Sequence, residues 1–527
     1  MPVRLRRFTA RRKLWWAGLA IGVIVVRLAM LALVPVPVPI IEDEYSYLLA
    51  ADTFAHGALA NPALAHGEFF ESPHILVRPF YASKYHPGQG LVLALGQKLG
   101  NPYWGVLLSG GLMIFLFCWA ADAWLPPQWS LLAGMLCFLV FLPHYWLNTY
   151  WGGAVAACGG AFITGAIGRL VRGRLRPASW ALAPGAALLY ATRPYEGAVF
   201  CFTALILLTC LFARFHDKTR FLRAVALPNI TMLLVAAALG AWYNWRITGN
   251  PAELPYFVHS RQYEQATVLL ILPASRERKI VYSNDHLSRL YNDELDEYHR
   301  TRNMSTPRLI AMQLTFFLLG SVYQQFLLFG LLLFALPWTR LRNRKKWLAP
   351  LFFAGMVALF AELKPLAHYS APFTAAELIL IVAAGRSVWY RMAASRWRGP
   401  MFLGAVLLAF VPLALDYTGF LSKSTREREP VIRQLEAQGG RHLVFVHYNP
   451  QWSYEREWVY NGARLQESPI VFAHDKGVEK DRELLDEFGG RKLWRLELGP
   501  RDDDVKLEPY TALAEAGPLP QRHQASR

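Results

Sequence analysis

The sequence predicts a mainly α-helical, polytopic membrane protein of about eleven transmembrane helices, followed by a small C-terminal α/β domain. Three observations predict it. Of 527 residues, 54% are hydrophobic and 14% aromatic, and the mean hydropathy of +0.21 is too high for a large soluble chain. The net charge of +17 comes from basic residues gathered between hydrophobic runs, as in cytoplasmic loops, so nucleic acid is not an expected partner. From residue 418 onward the composition turns charged and ordinary, with helix-like and strand-like runs alternating.

A bilayer-crossing helix needs roughly 20 mostly apolar residues. That rule places spans at 14–34, 102–124, 130–147, 152–171, 179–192, 196–214, 222–246, 307–336, 348–361, 370–390 and 400–416. The first follows MPVRLRRFTARRK and has no clean small-residue cleavage motif, so it reads as a retained anchor with a cytoplasmic N-terminus. Basic clusters at 172–176, 214–223, 340–346 and 386–398 then fall inside. The segments 35–101 and 247–306 and the C-terminal tail fall outside. The implied location is the inner (plasma) membrane, with the tail periplasmic in a Gram-negative host. The division is a transmembrane domain over 1–417, an α/β domain over 418–505 and a loose tail over 506–527. Cys118, Cys137, Cys158, Cys201 and Cys210 lie in hydrophobic segments without CxxC or His spacing and read as buried thiols.

Segment 41–99 is the most informative stretch. Prolines at 35, 37 and 39 fix φ and remove amide donors, so the chain leaves the first span extended. Glu42, Asp43 and Glu44 follow at once, and carboxylates beside lipid are costly without a purpose. If a helix starts there, Tyr47, Ala50, Ala51 and Phe54 form one apolar face that could lie on the bilayer. Asp43-Glu44-x-x-Tyr47-x-x-x-Ala51, followed by Lys84-Tyr85-His86-Pro87, resembles the first extracytoplasmic loop of the GT-C glycosyltransferases. Among these are the lipid A aminoarabinose transferase and the protein O-mannosyltransferases. Glu362-Leu-Lys364-Pro-Leu-Ala-His368-Tyr369-Ser-Ala-Pro372 resembles their later R-Y-x-x-x-P segment. The chain departs from that pattern at His86, in place of the first Pro of K-P-P, and in an acid-free second outer loop at 143–152.

The resemblance implies an inverting transferase that moves a sugar from a polyprenyl-phosphate donor to a hydroxyl of a lipid, polysaccharide or protein. Such chemistry needs a carboxylate base for the alcohol and cations for the departing phosphate. The resemblance makes Asp43 the base, with Glu44 assisting or solvated; helix capping is the plain alternative for Asp43. Lys84, Arg193, Lys364, His368 and Tyr369 are the candidates for holding the donor phosphate. Their plain alternatives are a snorkelling Lys84, a local Arg193–Glu196 pair and a structural His368. Arg27 reads as snorkelling from the first span, and Trp146, Tyr150 and Trp151 as an interfacial aromatic belt. No cofactor is expected, and the lack of a dense acidic cluster favours metal-independent chemistry, with a divalent metal left open. The tail reads as an accessory or acceptor-binding domain. A secondary transporter or a membrane receptor is the rival reading; a transporter calls for mid-bilayer charges and an internal repeat.

Overall fold

The computed structural model describes residues 11–270, 272–273, 280–316, 346–363, 366–397, 399–400, 404, 428–453, 456–501 and 504–518. The fold is mainly helical. Helix α1 is Arg12–Ala29, α2 Glu42–Ala55, α3 Pro87–Lys98, α4 Tyr103–Trp124, α5 Pro127–Phe141, α6 Ala154–Leu170 and α7 Ala178–Tyr190. Next come α8 (Pro194–Arg214), α9 (Leu227–Thr248), α10 (Pro255–Tyr263), α11 (Asp285–Arg302), α12 (Thr306–Phe316), α13 (Ala349–Phe360), α14 (Thr374–Arg391) and α15 (Arg428–Ala437).

Among the described residues five helices are long and apolar enough to cross a membrane, over Arg12–Ala32, Tyr103–Trp124, Pro194–Arg214, Lys218–Thr248 and His368–Arg391. Pro127–Phe141, Ala154–Leu170 and Ala349–Phe360 are shorter apolar helices. The expected span at 179–192 is the helix α7, with Pro184 inside it. The expected span at 400–416 and most of 307–336 lie outside the described residues. Close packing of the bundle depends on small residues. A Cβ at Gly160 of α6 would overlap the Pro372 carbonyl, so only glycine allows that approach.

Arg27 does not snorkel outward. It is 1% exposed and donates to Asn148 Oδ1 (2.6 Å) and to the carbonyls of Val34 (2.9 Å) and Pro35 (3.1 Å). A guanidinium with five fixed donors suits a proline-rich turn that leaves its carbonyls unpaired. The aromatic-belt expectation is likewise replaced: Trp146 and Tyr150 are buried, and the Tyr150 hydroxyl donates to the Pro37 carbonyl at 3.0 Å.

Helix α2 does not lay its apolar face on open lipid. Tyr47 and Ala51 are buried with Leu93 and Ala94 of α3 and Val106 of α4. A Cβ at Gly90 of α3 would meet the Ala50 Cβ at 2.7 Å, so glycine sets the closeness of the α2–α3 pair. Downstream, the short strands β1 (Ile75–Leu76) and β2 (Ala82–Ser83) pair antiparallel. Ser46 of α2 anchors this ribbon, donating to the His74 carbonyl at 2.7 Å and lying 2.8 Å from the Ser83 hydroxyl.

The C-terminal unit is an α/β sheet of four strands, β3 (His442–Tyr448), β4 (Ile470–His474), β5 (Lys492–Leu498) and β6 (Val505–Pro509), in the order β4-β3-β5-β6. The first three are parallel and β6 runs antiparallel to β5. Residues 506–516, expected to be loose, instead belong to β6 and to a helix at Thr511–Ala516 that buries Leu513. One face of the sheet buries Val444, Val446 and Trp494 with Val431 and Leu435 of α15. The other buries Leu443, Phe445 and Val471 with Leu49, Phe69, Phe70 and Ile75, so the sheet is seated on the segment between the first two long apolar helices.

Polar contacts follow the same seam. Asp52 of α2 accepts the Ala463 N–H (2.6 Å) and the Gln97 side-chain amide (2.7 Å). Tyr81 donates to the Asn461 carbonyl at 3.0 Å, and Tyr45 packs on Tyr460 at 4.7 Å between ring centres. The Asp52→Ala variant strands both donors and is expected to lose about 1–3 kcal/mol. Limited proteolysis would then release the C-terminal unit at lower temperature than in the wild type.

Candidate active site

The start of α2 is shaped by its own acids. Ile41 is the extended residue before the helix, and Glu44, three residues on, reaches back to the N–H groups of Ile40 (2.9 Å) and Ile41 (3.5 Å). This is the returning half of a capping box. The second Glu44 oxygen accepts the Tyr150 N–H at 2.8 Å. Burial pushes Glu44 up to about 7 against these three donors. Glu44 is therefore neither solvated nor aimed at a reacting group: both of its oxygens fasten backbone. It, rather than Asp43, answers the helix-capping need.

Asp43 is one residue earlier and points elsewhere. Its side chain is 17% exposed, with His74 Nε2 3.7 Å from Oδ1. The Tyr85 hydroxyl donates to Asp43. Burial raises the Asp43 carboxyl to about 6, while the charges of Lys84 and Arg193 pull it down. His74 is buried and neutral-leaning, its pKa held well below the usual value by burial and by Lys84. It is the one non-glycine residue at positive φ (64°) among the described residues. Left-handed backbone at a bulky residue is strained and concentrates at functional sites.

Pairing of β1 with β2 sets His74 beside Lys84, whose N–H donates to the His74 carbonyl at 3.1 Å. Lys84 does not snorkel to lipid. It is 4% exposed, its ammonium lies 3.0 Å from Glu264 Oε1, and the rings of Tyr85 (5.4 Å) and Tyr256 (5.0 Å) flank it. His259 Nδ1 lies 3.1 Å from the same carboxylate oxygen. Although burial opposes it, Lys84 and His259 hold Glu264 down to about 2.

Arg193 stands just before α8. The local pair with Glu196 is present but long, at 3.7 Å, and the guanidinium lies 4.6 Å over the Tyr369 ring. His368 is 1% exposed, hydrogen-bonds the Tyr145 hydroxyl (2.8 Å) and rests on Trp151 at 4.5 Å between ring centres. Its place is that of a packed histidine behind Tyr369. Glu362 is buried near Arg193, and burial together with Glu196 raises its pKa well above the usual range. Lys364 lies outside the described residues.

Asp43, Lys84, Arg193 and Tyr369 are thus brought together from four distant segments, with His368 behind them. Sequence reasoning missed Tyr85, His74, Glu264 and His259. Tyr85 adjoins Lys84 in the quoted motif and could have been read as a partner for the base. His74 and Glu264 sit in long loops without periodicity or motif, and only the fold joins them.

No family model matches the chain, and no curated protein matches it. Among solved structures it is similar to the apo oligosaccharyltransferase of Archaeoglobus fulgidus, with 12% identity and a TM-score of 0.42. That match covers 82% of this chain and 62% of the other, so the chain spans about three-fifths of its length. The same enzyme with zinc and sulfate matches at 12% identity and a TM-score of 0.44, over 92% of this chain and 67% of that one. Archaeal AglB from A. fulgidus, in complex with an inhibitory peptide and a dolichol-phosphate, matches at 10% identity and a TM-score of 0.43, over 94% and 70%.

Replacing Glu44 by Ala strands three backbone donors and is expected to destabilise the fold by about 1–3 kcal/mol. The readout is the thermal unfolding midpoint in detergent. Unchanged stability with lost activity would instead return Glu44 to the chemistry.

Proposed function

We propose that the chain is an inverting glycosyltransferase that moves a sugar from a polyprenyl-phosphate donor to a hydroxyl acceptor at the outer face of the membrane. The observation that carries this reading is the gathering of Asp43, Lys84, Arg193 and Tyr369 around one buried centre, with a carboxyl that titrates near neutrality. A general base works best when its pKa lies near the operating pH, and about 6 is suitable.

In the reaction the acceptor oxygen attacks the anomeric carbon while its proton passes to Asp43. The bond from that carbon to the phosphate oxygen breaks on the opposite face, which inverts the centre. The Tyr85 hydroxyl steadies the carboxylate, and Lys84 and Arg193 meet the charge that grows on the phosphate. Phosphate leaves as a stable anion, so no general acid is required.

A common outer location for both long loops and the tail is supported by their contacts. Asn284, just before α11, lies 3.5 Å from His474, and Arg289 donates to the Trp452 carbonyl at 3.1 Å. At the other end of the bundle Arg12 pairs with Asp122 at 2.8 Å, and the charges of Arg172 and Arg174 lie close to Arg169. That basic end fits a cytoplasmic side. A receptor reading of the tail fits poorly, because one face of its sheet is already seated on the first outer loop. A transporter reading fits poorly as well, since the clustered charges sit at helix ends and in outer loops rather than mid-helix.

Asn in place of Asp43 keeps the size and removes the base. Sugar transfer in membranes, assayed with labelled polyprenyl-phosphate sugars, is expected to fall by 100-fold or more, roughly the worth of a general base, at wild-type expression. Because the base must be ionised, wild-type activity should fall as pH drops through about 6. Full activity in Asp43→Asn would remove Asp43 from the mechanism.

A further inference from the structure

Glu264 is a carboxylate of the centre that contacts Lys84 directly and has no part in the reaction above. It follows α10 in the second outer loop, is 8% exposed, and contacts a lysine that is 4% exposed at 3.0 Å. The Lys84 ammonium is enclosed by that carboxylate and by the rings of Tyr85 and Tyr256. A phosphate can reach Lys84 closely only by taking the place of a group already there. The rings are neutral; the competing anion is Glu264.

We propose that Glu264 is a resident counter-anion for Lys84 that the donor's phosphate displaces, so that donor binding loosens the end of α10. The proposal rests on the reading of Lys84 as a phosphate-binding cation. On displacement the carboxylate keeps a partner, because His259 Nδ1 lies 3.1 Å from the oxygen that faces Lys84. The release would be felt beyond Glu264 itself. The Tyr263 carbonyl accepts the Tyr282 hydroxyl at 2.8 Å, and the Tyr263 ring is parallel to that of Tyr291 on α11. Donor occupancy is thereby passed to the loop that faces the outer water, where an acceptor must enter.

The physical argument is one of compensation. A buried ion pair that loses one partner leaves an uncompensated charge, which is strongly unfavourable. A protein lacking the Glu264 charge therefore gains more from an arriving phosphate than the wild type does. If the carboxylate instead only aims the lysine, its loss weakens phosphate binding.

The test uses the full chain in detergent, titrated with a polyprenyl monophosphate and, as control, the uncharged polyprenol. Glu264→Gln is expected to bind the phosphate at least about tenfold more tightly than wild type, with no change for the polyprenol. Hydrogen exchange at residues 253–265 of the wild type is expected to rise on adding the phosphate. Binding by Glu264→Gln that is equal to or weaker than wild type overturns the proposal, as does unchanged exchange. If that variant does not fold, Glu264→Asp, which draws the charge back by one methylene, is expected to bind the phosphate more tightly than wild type, and equal or weaker binding overturns the proposal. Lys84→Met separates the two levels. Wild-type phosphate binding by Lys84→Met would overturn the role of Lys84, whereas weak binding there with no gain in Glu264→Gln would overturn only the displacement.

Discussion

A carboxylate proposed to accept a proton near neutral pH has to be kept out of open water, and the packing around α2 does this for Asp43. Burial raises the carboxyl to about 6; without Lys84 and Arg193 nearby it would rise further. The balance depends on where the first turn of α2 lies. Moved towards solvent, Asp43 would revert to an ordinary carboxylate; moved away from the two cations, it would stay protonated. The arrangement around α2 is therefore best understood as whatever holds that turn still.

Two sets of fasteners do so. At the start, Glu44 ties the helix to the chain before it and to Tyr150. In the third turn, Asp52 ties it to α3 and to the C-terminal unit. Residues 459–463 run along the same helix: the Ser72 hydroxyl donates to the Val459 carbonyl, Tyr460 packs on Tyr45, and Asn461 receives Tyr81. The C-terminal unit thus braces α2 from outside the centre, and a site built on a pinned helix is held more tightly than one on free loops.

How much of this was legible depends on the range of the interaction concerned. Hydrophobic periodicity and charge distribution are local, so the apolar helices at 12–32, 103–124 and 368–391 and the strands β3, β4 and β5 were found close to where they lie. Asp43, Lys84, Arg193 and Tyr369 were picked out because short motifs and a misplaced charge mark them. Misreadings arose where a polar or aromatic residue was judged by its likely solvent. Arg27, Trp146 and Tyr150 read as interfacial, as such residues near a span usually do, yet all three are buried, Arg27 against Asn148 and Tyr150 against Pro37, each more than a hundred residues away. Strand β6 escaped notice because Val505–Pro509 is short and charged, and only pairing with β5 makes it a strand. Glu264 was invisible for a similar reason: nothing near it in the chain explains it.

The two cations of the centre differ in a way that bears on the chemistry. Lys84 is held at 3.0 Å by a carboxylate and enclosed by rings, so its position is set before any substrate arrives. Arg193 has a longer, 3.7 Å contact with Glu196 and stacks on the face of Tyr369. A phosphate leaving a sugar carries more charge than it did when bound as the donor. Only interactions that strengthen with that change speed the reaction. In the proposed reaction a guanidinium such as Arg193 could meet the growing charge through two parallel hydrogen bonds. In that proposed reaction Lys84 would fix where the phosphate lies and Arg193 would favour its departure.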